Sequence, residues 1–300
     1  MIEIVFLGTG SGIPSTYRKP AAIWLHYDMD SMLWDCGEGT QMQLMKAKCS
    51  FMKIKNIFIT HWHADHWAGL IGLMQTMGLE GRKKPLYIYG PDAERFIGDI
   101  LDLDYWGPSY KIIPVNVPYE GSEVTKIFEG EKYDILSTPT NHGVPSVAYC
   151  FKERDVRNID LKKGKKYGLK QSPLVGKLKK EGSVKIGNKT IKLEDVSNVK
   201  KGLKVVYSGD TKPCKSLETL AKDADILIHD STFTDEADNK MHSGASDAGS
   251  LAKKAKVNKL ILTHFSRRYT NVDQILKEAK AIFKDTEAAK DFMRIKLKRE

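Results

Sequence analysis

Asn56-Ile57-Phe58-Ile59-Thr60-His61-Trp62-His63-Ala64-Asp65-His66 is the stretch on which the fold turns. Its apolar first half predicts a buried strand that ends at a turn. Its second half sets four ionisable side chains within six positions. In an extended segment, residues two apart point the same way, so His61 and His63 can grip one cation together. Asp65 and His66 then offer an oxygen and a nitrogen to a second. Burying these groups unpaired is costly, which argues against a packing role. Nitrogen and oxygen donors without sulfur suit a catalytic divalent metal, usually zinc, with a coordination position left open.

Three distant residues share one local context. His142 follows the strand-like Tyr133-Asp134-Ile135-Leu136-Ser137-Thr138, Asp210 follows Lys204-Val205-Val206-Tyr207-Ser208-Gly209, and His264 follows Lys259-Leu260-Ile261-Leu262-Thr263. Each therefore stands at the C-terminal lip of a hydrophobic strand, where layered α/β folds gather their chemistry.

The formal charge of +10 is unevenly spread. Residues 152–204 hold 17 Lys or Arg against 6 Asp or Glu, a net of +11, and the remainder carries −1. Lys162, Lys163, Lys165 and Lys166 form one cluster, and Lys177, Lys179 and Lys180 another. Few large apolar residues accompany them, so the segment reads as a protruding basic arm within a single 300-residue domain. Clustered cations bind phosphate by releasing counterions, which points to RNA. Gly8-Thr9-Gly10-Ser11-Gly12 looks like a nucleotide-binding turn, but no Gly-Lys-Ser/Thr or later ribose-binding acid follows. It reads as a tight turn at the rim of the site, with no nucleotide cofactor. Cys36, Cys49, Cys150 and Cys214 show no metal or disulfide spacing. No apolar run is long enough to span a membrane, and no signal peptide precedes Ile2–Leu7, so a cytoplasmic protein is expected. Alternating strands and helices predict two mixed sheets between helices, with helices at Gly39–Lys48, Trp67–Met77, Asp92–Leu101, Lys215–Lys222, Asp247–Lys254 and Val272–Ile282, and a last edge strand within Asp291–Leu297.

The order His-x-His-x-Asp-His, His, Asp, His resembles the metallo-β-lactamase fold, a four-layer αββα sandwich. Within it, the chain is similar to the short-form tRNase Z (ribonuclease Z) family over nearly its whole length. The supporting segments are Phe6-Leu7-Gly8-Thr9-Gly10-Ser11-Gly12-Ile13-Pro14, Trp34-Asp35-Cys36-Gly37-Glu38-Gly39-Thr40-Gln41, Tyr89-Gly90-Pro91, Ser208-Gly209-Asp210-Thr211 and Thr263-His264-Phe265-Ser266-Arg267-Arg268-Tyr269. The resemblance implies two Zn2+ per subunit, one on His61, His63 and His142, the other on Asp65, His66 and His264, with Asp210 between them. It implies cleavage of the 3′ trailer from precursor tRNA by metal-activated hydroxide, leaving a 3′-hydroxyl, with Asp65 also orienting the nucleophile. It further implies a homodimer and a tRNA-gripping arm over 152–204.

The family takes its leaving-group proton from a histidine held by a carboxylate, in a His-Glu-Ala-Thr and a His-Ser-Thr segment. His229-Asp230-Ser231-Thr232 and His242-Ser243-Gly244 match them with two departures, Asp230 for the Glu and Gly244 for the Thr. His242 is thus the expected general acid and Asp230 its orienting carboxylate. The arm segment Gln171-Ser172-Pro173-Leu174-Val175-Gly176-Lys177 keeps the family proline without the preceding glycine. In Pro14-Ser15-Thr16-Tyr17-Arg18-Lys19, Pro14 and Arg18 match the family loop, and Thr16 and Lys19 depart from it. Arg18 and Arg268 join the seven arm lysines as expected RNA contacts. The residues leave open a general phosphodiesterase or arylsulfatase-like hydrolase of small esters, a nuclease without tRNA preference, and a non-catalytic RNA-binding protein with structural metal.

Overall fold

Side chains alternate across each strand, and that alternation sets the layers. In the strands Asp30–Trp34 and Ile54–Phe58, Leu33 and Ile57 join an apolar cluster under helices, while Trp34 and Phe58 turn to the opposite face. There they meet a second sheet: Trp34 stacks on Tyr207 with ring centroids 5.8 Å apart, and Phe58 meets Tyr149 at 5.3 Å. These contacts come from a computed structural model, which describes residues 1–103, 107–187, 189–236 and 241–299.

The first sheet runs in the order Arg294–Leu297, Ile2–Gly8, Ala22–Tyr27, Asp30–Trp34, Ile54–Phe58, Leu86–Gly90, Ile112–Asn116. Its N-terminal half pairs antiparallel and its last four strands pair parallel. The second runs Thr286–Ala288, Lys259–Thr263, Ile226–Asp230, Lys204–Tyr207, Val147–Glu153, Tyr133–Pro139, Thr125–Glu129. Its first four strands are parallel, and Val147–Glu153 joins them antiparallel. Both sheets are therefore mixed, and the expected edge strand lies beside Ile2–Gly8. Helices Thr40–Lys46, Leu70–Leu79 and Ala93–Leu101 cover the first sheet through Leu44, Leu73, Met74, Met77 and Ile97. Helices Lys215–Ala221, Ala245–Ala255 and Asp273–Ile282 cover the second through Leu217, Leu220, Leu251, Ala252 and Ile275. The result is the αββα sandwich. No helix among the described residues is long and apolar enough to cross a membrane, and all four cysteines are free thiols.

One expected helix is divided. Instead of a continuous Trp67–Met77, a single turn Ala64–Trp67 carries Asp65 and His66, and a separate helix begins at Leu70. The cause is a close backbone approach. Gly69 N–H donates to Cys36 O at 2.8 Å, and Cys36 N–H to His66 O at 2.7 Å. A side chain on Gly69 would come within 2.2 Å of Gly37 O, and one on Gly37 within 2.3 Å of Asp65 O. The two glycines let the Asp35–Gly39 loop lie directly against the ligand-bearing turn.

Glu153–Leu203 forms a compact unit of its own. Strand Val156–Ile159 pairs with Ser197–Lys200, Ser183–Ile186 forms a hairpin with Lys189–Lys192, and helices Leu161–Lys165 and Pro173–Glu181 complete it. The sequence reading expected too few apolar residues for a core, yet Leu169, Leu178, Val184, Ile191 and Val196 bury one. Their spacing across short elements hides it from a window-based reading.

Replacing Gly69 by Ala is expected to lower the stability of the metal-free protein by at least about 2 kcal/mol, because overpacking meets backbone rather than a flexible side chain. Denaturant melts of the two proteins would show it; equal midpoints would remove the close approach as a constraint.

Candidate metal centre

All seven expected ligands converge where strands of both sheets end. His61 comes three residues after the end of Ile54–Phe58, and Thr60 O accepts Val147 N–H from the second sheet at 3.0 Å. Asp210 follows Lys204–Tyr207 through Gly209, whose φ of +58° and packing against Thr60 demand glycine. His264 directly follows Lys259–Thr263 with φ +62°, a left-handed conformation uncommon outside glycine.

The donor atoms face one another. His63 Nδ1 lies 3.0 Å from His61 Nε2 and 3.2 Å from His142 Nε2, and His66 Nε2 lies 3.2 Å from His264 Nε2. Nitrogens on one tetrahedral zinc at about 2.0 Å would be about 3.3 Å apart, close to these separations. His61, His63 and His142 make one candidate triad, and Asp65, His66 and His264 a second. Asp210 sits between them. Its Oδ2 is 3.7 Å from His61 Nε2 and 3.4 Å from His66 Nε2, and its buried Oδ1 accepts no hydrogen bond although His264 Nε2 is 3.2 Å away. Such an orphaned buried carboxylate oxygen, ringed by imidazole nitrogens, fits a bridging cation ligand.

The outer nitrogens are held just as specifically. Asp35 Oδ2 takes His66 Nδ1 at 2.7 Å and Tyr207 Oη at 2.8 Å, and Thr60 N donates to Oδ1 at 2.8 Å. Thr60 Oγ1 donates to the same carboxylate and accepts from His61 Nδ1 at 3.1 Å. On the other side, Thr232 Oγ1 donates to Asp230 Oδ1 at 2.6 Å and accepts from His264 Nδ1 at 2.9 Å. His142 Nδ1 donates to Met241 O at 2.9 Å. Each partner fixes a tautomer with Nε2 unprotonated toward the centre, the arrangement of metal-ligating histidines. Asp35, Thr60 and Thr232 carry no role in the sequence reading. The available signals were nearness in sequence, Thr60 next to His61 and Thr232 two residues after Asp230, and for Asp35 its place at the end of an apolar strand.

His242 stands at the same cluster. Its Nδ1 is 3.0 Å from Asp230 Oδ2 and its side chain is 20% exposed, while Asp230 is fully buried. The shorter Asp230 thus still reaches the histidine. No hydroxyl replaces the family threonine at Gly244, whose N–H donates to Asp247 Oδ2 at 3.0 Å. Electrostatics express a demand for positive charge. Burial opposes the charged forms of His66 and His264, yet Asp210 with Asp35 and Asp65 raises His66 well above its ordinary value, and Asp210, Asp230 and Asp65 raise His264 to about 10. Burial and then the neighbouring imidazoles hold His61 well below it. A site where some imidazoles reject a proton and carboxylates require a cation suits a metal better than protons.

The expected RNA contacts are distributed. Arg18 Nη1 donates to Tyr269 O at 3.1 Å and its guanidinium lies over Phe265, the neighbour of His264. The exposed Arg268 lies over Phe233, whose ring contacts His242 at 6.0 Å. Lys162, Lys163, Lys165, Lys166, Lys177, Lys179 and Lys180 are all exposed in the Glu153–Leu203 unit. Gly12 N–H donates to Asp65 Oδ2 at 2.6 Å, which places the glycine-rich turn at the rim.

Two stacked mixed sheets with a nitrogen and oxygen ligand cluster at their shared strand ends define a member of the β-lactamase superfamily. A family model described as beta-lactamase superfamily domain matches residues 196–265, and one described as anti-Pycsar protein Apyc1 matches residues 2–96. Ribonuclease Z of Methanosarcina acetivorans is 40% identical over 307 aligned residues, covering 99% of this chain and 98% of the relative. Ribonuclease Z of Thermococcus onnurineus is 42% identical, covering 94% and 90%. The crystal structure of human tRNase Z, short form, superposes with a TM-score of 0.71 at 27% identity, covering 98% of both chains. The chain belongs to the ribonuclease Z family.

Asp35→Asn is expected to weaken metal binding by about 10–100-fold, since the amide cannot accept from His66, Thr60 and Tyr207 together. Competition with a chromophoric chelator measures it, and an unchanged affinity would deny Asp35 its orienting role.

Proposed function

We propose that this chain is a zinc-dependent endoribonuclease that removes the 3′ trailer from precursor tRNA. The observation that carries this reading is the pairing of the seven-ligand cluster with His242, oriented by Asp230, in a chain of the ribonuclease Z family. His61, His63 and His142 would hold one Zn2+, Asp65, His66 and His264 the other, and Asp210 would touch both. Bound there, the ions would acidify a water at neutral pH and neutralise charge on the scissile phosphate.

The protein's own groups do the rest. Asp65, with Oδ2 facing His66 and His264, is placed to orient the attacking water. Asp230 is held below the ordinary carboxylate range: burial opposes its charge, but the hydrogen bond from His242 and the nearby charge of His264 prevail. It remains an acceptor and keeps the His242 proton on Nδ1. Burial opposes the charge on His242 in turn, and Asp230 and Asp210 raise it above the ordinary histidine value. Protonated, it donates from Nε2 to the departing 3′ oxygen as the bond from phosphorus to that oxygen breaks. The tRNA keeps a 3′-hydroxyl and the trailer a 5′-phosphate. The exposed lysines of Glu153–Leu203 would hold the folded body of the tRNA through its phosphates. The same reading takes the working assembly to be a homodimer, with sedimentation at twice the chain mass as the expected result.

The test offers Zn-loaded protein a folded precursor tRNA and an unstructured RNA of equal length. A single cut beside the discriminator nucleotide, on the folded substrate alone, is expected. Cleavage of both would indicate a nuclease without tRNA preference, and cleavage of neither would move the site to small esters or plain binding. His242→Ala should keep its metal and lose about 10²–10⁴-fold in cleavage rate; near wild-type cleavage would remove it as the acid.

A further inference from the structure

A cavity of about 450 Å³ lies apart from the metal ligands, none of which lines it. Arg18, Lys19, Lys46 and Lys290 supply its cations and Asp291 its carboxylate. These residues come from three separate places in the chain: the loop after Ser11, the last turn of Thr40–Lys46, and the connection from Thr286–Ala288 to Arg294–Leu297. Of these, only Arg18 was an expected RNA contact.

Asp291 is already occupied. Its Oδ1 accepts from Thr9 N at 3.0 Å and Thr9 Oγ1 at 2.8 Å, and its Oδ2 from Lys19 N at 2.9 Å and Gln43 Nε2 at 3.4 Å. It ties the rim loop to the C-terminal segment rather than neutralising a lysine. Among the described residues, the ammonium groups of Lys19, Lys46 and Lys290 have no carboxylate within ion-pair distance. Arg18 is held by its bond to Tyr269 O and by the rings of Tyr17 and Phe265, which leaves its other donors without a carboxylate hydrogen bond. Four cations around one engaged carboxylate, in a recess rather than on a flat face, suit a phosphate.

Asp291, which lines the cavity, is linked by backbone contacts to the metal centre through Thr9. Phe265 N–H donates to Thr9 O at 2.9 Å, and the short strands Gly10–Ser11 and Phe265–Ser266 pair beside His264. Gly12, on the same loop as Arg18, binds Asp65.

We propose that the Arg18–Lys19–Lys46–Lys290 cavity is a second phosphate subsite that holds a backbone phosphate of the substrate RNA away from the scissile one. The proposal rests on the RNA-cleaving function above. A free phosphate or mononucleotide shares this chemistry, so the experiment separates the sources.

The test compares wild-type Zn-loaded enzyme with Lys46→Glu/Lys290→Glu on RNA across a salt series, with bis(p-nitrophenyl) phosphate turnover in the same samples reporting on the metal centre. The expected result is an RNA KM raised about tenfold at low salt and a salt slope reduced by about one, since one phosphate contact is lost. The ratio of RNA to small-ester turnover falls accordingly. Lys46→Ala/Lys290→Ala, which removes charge without reversing it, should shift in the same direction by less. Unchanged RNA KM and slope in both variants would overturn the subsite. Inorganic phosphate that competes with RNA in the wild type and ceases to compete in the variants supports it. Phosphate or AMP that binds the cavity without displacing RNA overturns it in favour of a free ligand. Failure of the tRNA reading would show separately, as a wrong cleavage pattern in the wild-type enzyme alone.

Discussion

Two buried carboxylates each hold one imidazole directly and a second through a threonine hydroxyl. Asp35 takes His66 itself and His61 through Thr60; Asp230 takes His242 itself and His264 through Thr232. A hydroxyl has one proton to give, and in both cases it goes to the carboxylate, so the hydroxyl must accept from Nδ1–H. That assignment turns the Nε2 lone pairs of His61, His66 and His264 toward Asp210 and one another. Without a metal, the inward-facing carboxylates are met only by protons held on buried His66 and His264 while neighbouring His61 rejects one, which a fold does not maintain cheaply. The arrangement is intelligible as a socket for metal.

The architecture exists to keep this geometry. One Asp–Thr pair belongs to the first sheet and the other to the second, so the two layers must stay in register for the triads to meet. Trp34 on Tyr207 and Phe58 on Tyr149 fix that register, and the Tyr207 hydroxyl crosses the interface to reach Asp35. The close approach of Gly37 and Gly69 presses the Asp35 loop onto the turn that carries Asp65 and His66. At the far end of the chain, Asp291 anchors Thr9 and the loop that leads to the rim. Chemistry, packing and backbone contact thus share the same few residues.

Much of this was legible because ligands announce themselves by type. His61, His63, Asp65 and His66 are contiguous, and His142, Asp210 and His264 each end an apolar strand, so spacing and strand placement locate all seven. Layer order was legible for the same reason, through alternating strands and amphipathic helices. The supporting shell was not. Asp35 and Thr60 meet only across strands, and nothing in a lone Asp at φ +56° marks it before the fold forms. The interruption before Leu70 was hidden because Ala68 and Gly69 are compatible with a helix locally, and only the distant Cys36 carbonyl draws the Gly69 N–H out of a helical ladder. Lys46 and Lys290 are 244 positions apart and share a cavity solely through tertiary structure. The small core of Glu153–Leu203 escaped because each of its short elements contributes one or two apolar residues.

A crystal of the zinc-loaded protein, with anomalous scattering measured across the zinc edge, gives the most direct answer. Two peaks are expected, one within coordination distance of His61, His63 and His142, the other of Asp65, His66 and His264, with Asp210 reaching both. A single peak, or zinc held elsewhere with these imidazoles unoccupied, would contradict the two-cation centre.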